Sequence, residues 1–471
     1  MDRLPRDIRS LRDALDARPA ARASLRASLR NAAEGGARRL GAYRRLDVAR
    51  FEAQLDAFEA ERRALVPSGP LGGVPVSVKD LYGVSGWRTY AGSPRPLPAR
   101  FARDGWLVRR LRRAGALVTG KTHTVEFAFG GIGTNPHWPT PRNPWGGAVH
   151  RVPGGSSSGA GVSLHDGTAW LALGTDTAGS VRIPAAWTGT VGLKTTAGRW
   201  PTEGIVPLSP TLDTAGLLAR TVEDVCWAFG ALDPAWGDPA AFRRAWPVPT
   251  VAGVRLGLLE DPWMQGCRDG VEEVVLSALR ELETAGARVH PVRLPAALEA
   301  LELFSLGGPV AVELAAFLMH ELPGWRASLD PNVAARLRQA DELPAIEYLR
   351  RGSVLRRLAS AADACFVEAG VDLLVGPTVA LGPPALDDVA EPARYREANL
   401  LALRNTSVVN YLGLCAITLP VGLDRLGAPV GLHLVAPARS EERLLAMALA
   451  VEGVLGDAMQ RIGAPPGCET G

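Results

Sequence analysis

The 471-residue chain carries 52 Lys+Arg against 49 Asp+Glu, a formal net charge of +3, with 47% apolar and 21% charged residues. That composition is ordinary for a globular protein, and the near-neutral balance argues against a partner built on a phosphate backbone, which calls for concentrated basic surface. Five cysteines (226, 267, 365, 415 and 468), odd in number and without a C-x-x-C pair, exclude a disulfide scaffold and a cysteine-rich zinc site and fit a reducing compartment.

The opening MDRLPRDIRSLRDAL has no apolar centre and does not read as a secretory signal. No apolar run approaches about 18 residues, so no membrane span is expected, and the chain reads as cytoplasmic. Residues 1–66 are rich in Ala, Arg and Leu with apolar residues three and four apart. They predict two or three amphipathic helices packed on the core. Pro67-Ser68-Gly69-Pro70 and then Gly72-Gly73 mark a boundary, after which a second unit runs over 67–471. There VPVSV is strand-like, LVRRLRRAG helical and ALVTG strand-like again. Arg109, Arg110, Arg112 and Arg113 fall in that helical pattern and read as a solvated face. Residues 130–161 form a long Gly/Pro/Ser/Asn-rich stretch without periodicity, and loops of that length are usually functional. A helix over 157–166 and a buried strand over 168–174 follow. The interval of about 225–370 reads as a helical insertion. Three short apolar strands, VDLLVGPTVA, CAITLPVGL and VGLHLVAP, precede a closing helix, EERLLAMALAVEGVLG. No internal repeat is visible. Alternating strand and helix patterns argue for α/β layers.

Only three lysines, Lys79, Lys121 and Lys194, occur among the 52 cationic residues, and all lie within 79–194. In a chain that otherwise writes positive charge as arginine, a lysine is a candidate for chemistry arginine cannot do. A desolvated lysine can lose its proton near neutral pH, whereas arginine stays charged. Lys79 ends a buried strand and is the candidate base; Lys121 and Lys194 read as packing or hydrogen-bonding residues.

Two motifs fail on context. Gly115-Ala-Leu-Val-Thr-Gly120-Lys121-Thr122 matches the phosphate loop G-x-x-x-x-G-K-[ST], but its strand lies inside the motif and a helix precedes it. Gly155-Ser156-Ser157-Ser158-Gly159 matches the nucleophile elbow G-x-S-x-G, yet the residues before it read as loop rather than strand. No paired-histidine spacing supports a metal site, and no cofactor is implied.

GVPVSVKD (73–80), VPGGSSSG (152–159) and GTDTAGSVRIPA (174–185) together supply what amide hydrolysis needs: a nucleophile, a base, a proton shuttle and oxyanion donors. A lysine pKa lowered by roughly 3 units costs about 4 kcal/mol, within what burial achieves. From Ser156 a helix runs out roughly 14 Å and the next strand returns about 20 Å, which brings Ser180 back close to Ser156. The turn Thr177-Ala178-Gly179 between them offers backbone N–H groups to one oxygen. A serine-rich surface turn is the bland alternative.

At these residues the chain resembles the amidase signature family, which includes allophanate hydrolase, malonamidase and the A subunit of aminoacyl-tRNA amidotransferases. The resemblance spans about 70–224, through GLKTTAGR, GIVPLSPTLDTAG and ARTVEDV. It resumes in LLVGPT, RNTSVVNYLGLCAITLPVG and PVGLHLVAP. It implies an α/β/α sandwich with a central mixed sheet. It also implies a triad of Lys79, a cis-peptide Ser156 and the nucleophile Ser180, with oxyanion donors at Thr177, Ala178, Gly179 and Ser180. Asp176, Arg182 and Ser157 match supporting residues. Ala178 departs from the glycine of many members and would be strained if its φ had to be positive.

The expected activity is hydrolysis of a small carboxamide or related C–N bond. The alternatives are an amidotransferase subunit acting with partners, and an inactive scaffold. Expected partners are a small amide, with no direct nucleic acid and no membrane; a homodimer is one allowed assembly. Candidate substrate contacts are Ala128, Gly130, Tyr348 and Arg356. The last two lie eight apart on one predicted helix, as do a tyrosine and arginine that hold the substrate carboxylate in allophanate hydrolase. The plainer reading makes Arg356 one of several exposed arginines there.

Overall fold

The structure is a computed structural model and describes residues 4–466; Cys468 lies outside the described residues. Eleven strands build one mixed sheet. They are β1 (Tyr43–Leu46), β2 (Pro75–Lys79), β3 (Leu117–Thr122), β4 (Leu171–Asp176), β5 (Val191–Lys194), β6 (Thr214–Ala219), β7 (Arg255–Leu259), β8 (Arg288–Val292), β9 (Leu373–Pro377), β10 (Cys415–Leu423) and β11 (Pro429–Ala436). Their order across the sheet is β1-β3-β2-β4-β6-β5-β10-β11-β9-β7-β8. The strand trio β3, β2, β4 is parallel, as is β9, β7, β8, and antiparallel pairs join the two.

Alternate residues of each strand point to opposite faces, and the two cores divide accordingly. Cys415, Ile417 and Leu419 of β10 join Val76, Val78, Leu171 and Leu173 on one face, covered by the N-terminal helices and by Val222–Leu232, Val271–Thr284 and Glu441–Leu455. Ala416 and Val435 point the other way, into a core shared with the helices Pro295–Ser305, Val310–Glu321 and Ala345–Glu368. Ala172 and Leu218 pack on that second face with Ala160 and Ala185. The molecule is thus the α/β/α sandwich with a central mixed sheet that the sequence implies.

Two stretches differ from the sequence reading. Residues 43–46 are not helical but form β1, the edge strand beside β3. The interval 225–370 is not wholly helical either, because β7 and β8 lie within it and extend the sheet beyond β9. Among the described residues no single helix is long and apolar enough to cross a membrane.

The sheet register places the site. Val78 of β2 faces Leu173 of its parallel neighbour β4, so both strands run out at the same edge. Lys79 closes β2 and Asp176 closes β4, and such carboxyl ends are where open α/β sheets bind ligands.

Candidate active site

Val76 and Val78 belong to one core, so Ser77 and Lys79 project from the opposite face of β2. Ser77 Oγ meets Ser163 Oγ at 2.8 Å, and Lys79 continues toward the strand end. Lys79 is fully buried. Its Nζ donates to Ser156 Oγ at 2.8 Å and to Thr175 Oγ1 at 2.8 Å. Burial lowers its pKa to about 7, against the opposing pull of Asp176 and Asp213. The other two lysines are structural. Lys121 pairs with Asp80 at 2.9 Å and donates to the Tyr82 carbonyl at 2.6 Å. Lys194 donates to the carbonyls of Thr195 and Leu414.

Ser156 follows a cis peptide bond from Gly155. Its carbonyl accepts from Val125 N at 3.1 Å and Ser158 N at 2.8 Å, while Gly155 N donates to the Gly131 carbonyl at 2.7 Å. Ser157 ties the two serine-bearing turns together: its N–H donates to the Ser180 carbonyl at 3.2 Å, and its Oγ accepts from Thr175 N at 3.4 Å. The sequence's excursion and return therefore bring the Ser156 and Ser180 segments into contact.

The turn after β4 is organised around Asp176. Its carboxylate accepts from Gly179 N at 2.7 Å, Val181 N at 3.2 Å, Arg182 Nε at 3.0 Å and Asn410 Nδ2 at 3.0 Å. Burial alone would raise the Asp176 pKa, but the Arg182 guanidinium and these donors hold it well below the usual carboxylate range. Arg182 also meets Asn410 Oδ1 at 2.6 Å and His433 Nε2 at 3.0 Å. Thr406 Oγ1 donates to the Ala178 carbonyl at 2.6 Å, and Thr177 Oγ1 to Asp213 Oδ1 at 2.5 Å. Gly179 has φ +133°, whereas Ala178 is not among the residues with positive φ and so carries no left-handed strain. The Gly179 N–H is engaged by Asp176 Oδ1.

Thr177, Ala178 and Ser180 open onto a cavity of about 490 Å³. Ala128 and Gly130 line it as well, together with Arg336, Arg351 and Arg396 but no Asp or Glu. Tyr348 and Arg356 are not on its wall. The buried stripe of their helix is Leu355, Leu358, Ala362 and Phe366; Arg356 is exposed and Tyr348 OH donates to Glu313 Oε1 at 3.1 Å. Sequence reasoning missed Arg336, Asp213 and Asn399, whose Oδ1 accepts from Gly131 N at 2.7 Å. Thr406 and Asn410 lie in RNTSVVN, a segment the resemblance had marked without assigning roles. Among the described residues no group of three His, Cys, Asp or Glu is placed to hold a metal ion.

The amidase family model matches residues 23–445. The chain is 50% identical over 429 residues to 2-amino-5-chloromuconic acid deaminase of Comamonas testosteroni, covering 91% of each. It is 33% identical to indoleacetamide hydrolase of Pseudomonas savastanoi over 88% of this chain and 92% of that one. A crystal structure of an amidase superposes with TM-score 0.82 at 31% identity, over 96% of this chain and all of that one. With the family model spanning nearly the whole chain, this protein belongs to the amidase signature family and is an amidase, a hydrolase of carboxamide bonds.

Proposed function

We propose that the chain hydrolyses a carboxamide or related C–N bond of a small, carboxylate-bearing substrate through an acyl-enzyme on Ser180. The observation that carries the mechanism is Lys79: fully buried, bonded to Ser156 and free of any ion pair among the described residues. Its neutral form takes the Ser156 proton as Ser156 takes that of Ser180. Ser180 Oγ then bonds to the carbonyl carbon. The oxyanion is held by backbone N–H groups of the 177–180 turn, where no reorganisation is needed as charge develops. Returned through Ser156, the proton goes to the leaving nitrogen as the C–N bond breaks. Water hydrolyses the acyl ester by the reverse relay and releases the acid.

The substrate's charge is read from the cavity wall, where Arg336 and Arg396 stand without a carboxylate among the described lining residues, while Arg351 is already paired with Glu347 at 2.8 Å. Guanidinium groups suit planar carboxylates. The relative named a 2-amino-5-chloromuconic acid deaminase is, by that name, an enzyme whose substrate is an acid that loses an amino nitrogen, in keeping with this reading. The test is ammonia release by the purified chain from matched amides with and without a carboxylate, amino-substituted unsaturated acids, and glutamine. Preference for carboxylate-bearing substrates, abolished in Ser180→Ala, supports the proposal. Equal rates on neutral amides overturn the charge reading, and ammonia from glutamine only with added subunits would favour an amidotransferase role.

A further inference from the structure

One wall of the cavity that Ser180 lines is the helix Pro331–Asp341, which contributes Asn332, Arg336 and Gln339. Its seat is a strained turn. Phe127 and Ala128 take φ of +46° and +60°, a conformation non-glycine residues adopt only where the surroundings enforce it. Val125 at the head of this turn donates to the Ser156 carbonyl, and Phe129 at its foot offers a carbonyl to Arg336 Nη1 at 3.1 Å. The turn thus touches the catalytic segment on one side and the substrate-side helix on the other.

At its centre sits Glu126, fully buried. Its Oε2 accepts from Asp330 N, the residue capping the helix, at 2.6 Å. Its Oε1 lies 3.2 Å from His137 Nε2, and neither of these two buried atoms makes a hydrogen bond among the described residues. No Lys or Arg pairs with the carboxyl among the described residues.

We propose that Glu126 is a positioning residue for substrate binding: as a neutral acid it donates its proton to His137 Nε2, accepts the Asp330 N–H, and so seats the helix Pro331–Asp341 against the turn that lines the cavity. An ionised carboxylate buried without a cation would be costly, whereas a protonated one satisfies both neighbours. Burial acts in that sense on both partners, holding the Glu126 carboxyl up at about 8 and lowering the His137 imidazole. Asp330, the other buried acid here, spends its Oδ1 on Asn332 N at 2.8 Å and so is committed to the helix cap.

The inference rests on the reading of this cavity as the substrate site, and the experiment separates the two. Steady-state kinetics on the best carboxylate-bearing amide are measured for Glu126→Ala, Glu126→Gln and Arg336→Ala. Hydrogen exchange over 331–341 is followed in the two Glu126 variants. The amide of glutamine reproduces both the acceptor and the donor of a neutral acid. Glu126→Ala should raise KM by about tenfold or more with kcat within about threefold and should quicken exchange across the helix. Glu126→Gln should restore both to near wild type. If the alanine variant does not fold, His137→Phe carries the comparison and should raise KM in the same direction without lowering kcat. Equal damage from Gln and Ala, or a loss in kcat with KM unchanged, overturns the proposal. If Arg336→Ala leaves KM unchanged, the substrate reading fails; if Arg336→Ala raises KM and Glu126→Ala does not, only the positioning role fails.

Discussion

In the proposed mechanism Lys79 can serve as a base because its surroundings withhold the partner that would keep it charged. Two hydroxyls, Ser156 and Thr175, are its hydrogen-bond partners, and the carboxylates nearby are spent elsewhere: Asp176 on Arg182 and Asp213 on Thr177. With its pKa lowered to about 7 by burial, Lys79 is protonated and unable to accept a proton below that value. The expected pH profile of kcat/KM therefore falls on the acid side with a midpoint near pH 7, and a rate flat down to pH 5 would remove Lys79 as the base. Lys79→Arg keeps the positive charge but can neither deprotonate nor fit the same pocket. It should cost at least about a thousandfold in kcat/KM, as much as Lys79→Ala; retention of most of the rate would make Lys79 structural. Ser180→Ala should lower turnover by at least a similar factor while the melting temperature stays within about 2 °C. Its side chain lines the cavity, where truncating a hydroxyl creates no core void.

Among the elements, the turn between β4 and the helix Arg182–Thr188 is the one whose shape the proposed chemistry depends on, and its glycine and alanine behave differently. A Cβ on Gly179 would lie 2.1 Å from Thr406 Oγ1 and 2.6 Å from Thr406 Cβ, on a backbone with φ +133°. Thr406 is itself fixed by its bond to the Ala178 carbonyl, so it cannot yield without loosening the oxyanion turn. Gly179→Ala should therefore lower kcat by about a hundredfold or more, with a smaller effect on KM, checked by the same ammonia assay. Ala178→Gly should stay within about fivefold of wild type, because Ala178 is outside the left-handed region. The sequence resemblance could raise the question of strain at 178 but could not answer it. Elsewhere legibility followed burial and composition. β2, β4, β9, β10 and β11 were readable as continuous apolar runs, since strands buried on both faces lose the period-two signal but keep their hydrophobicity. β1, YRRL, was hidden by its arginines, which suit an exposed sheet edge. β7 and β8 are short, partly exposed strands whose pattern is outweighed by the long helices around them. The serine-bearing turns and the lysine were legible because scarce lysine and clustered Gly-Ser carry meaning locally. Arg336 was not, since a cavity wall is assembled by packing between distant helices. Nothing in the sequence distinguishes it from Arg356, one helix further on.

At the scale of the whole molecule, the N-terminal segment is bound into the main core rather than laid upon it. Ile8, Leu11, Leu15, Leu25 and Leu29 are at most 1% exposed and share one cluster with Val76, Leu171 and Leu173 of the sheet. Asp224 Oδ1 accepts from Ile8 N at 2.7 Å, and Trp170 Nε1 donates to the Pro5 carbonyl at 2.9 Å. Burying each such aliphatic side chain is worth about 1.5–3 kcal/mol, so these five together contribute on the order of 10 kcal/mol as an upper estimate. That equals the net stability of a typical domain, about 5–15 kcal/mol. A chain lacking residues 1–41 should therefore fail to accumulate as soluble, monodisperse protein. Leu25→Ala, a milder test, should destabilise by about 2–5 kcal/mol in denaturant melts. It should leave kcat/KM within about twofold, because the lining of the catalytic cavity begins at Ala128 and includes nothing from this segment. A truncated chain that folds, melts cooperatively and keeps its amidase activity would show the segment to be a separable appendage. A Leu25→Ala enzyme that is stable but slow would instead connect these helices to the site by a route the packing does not reveal.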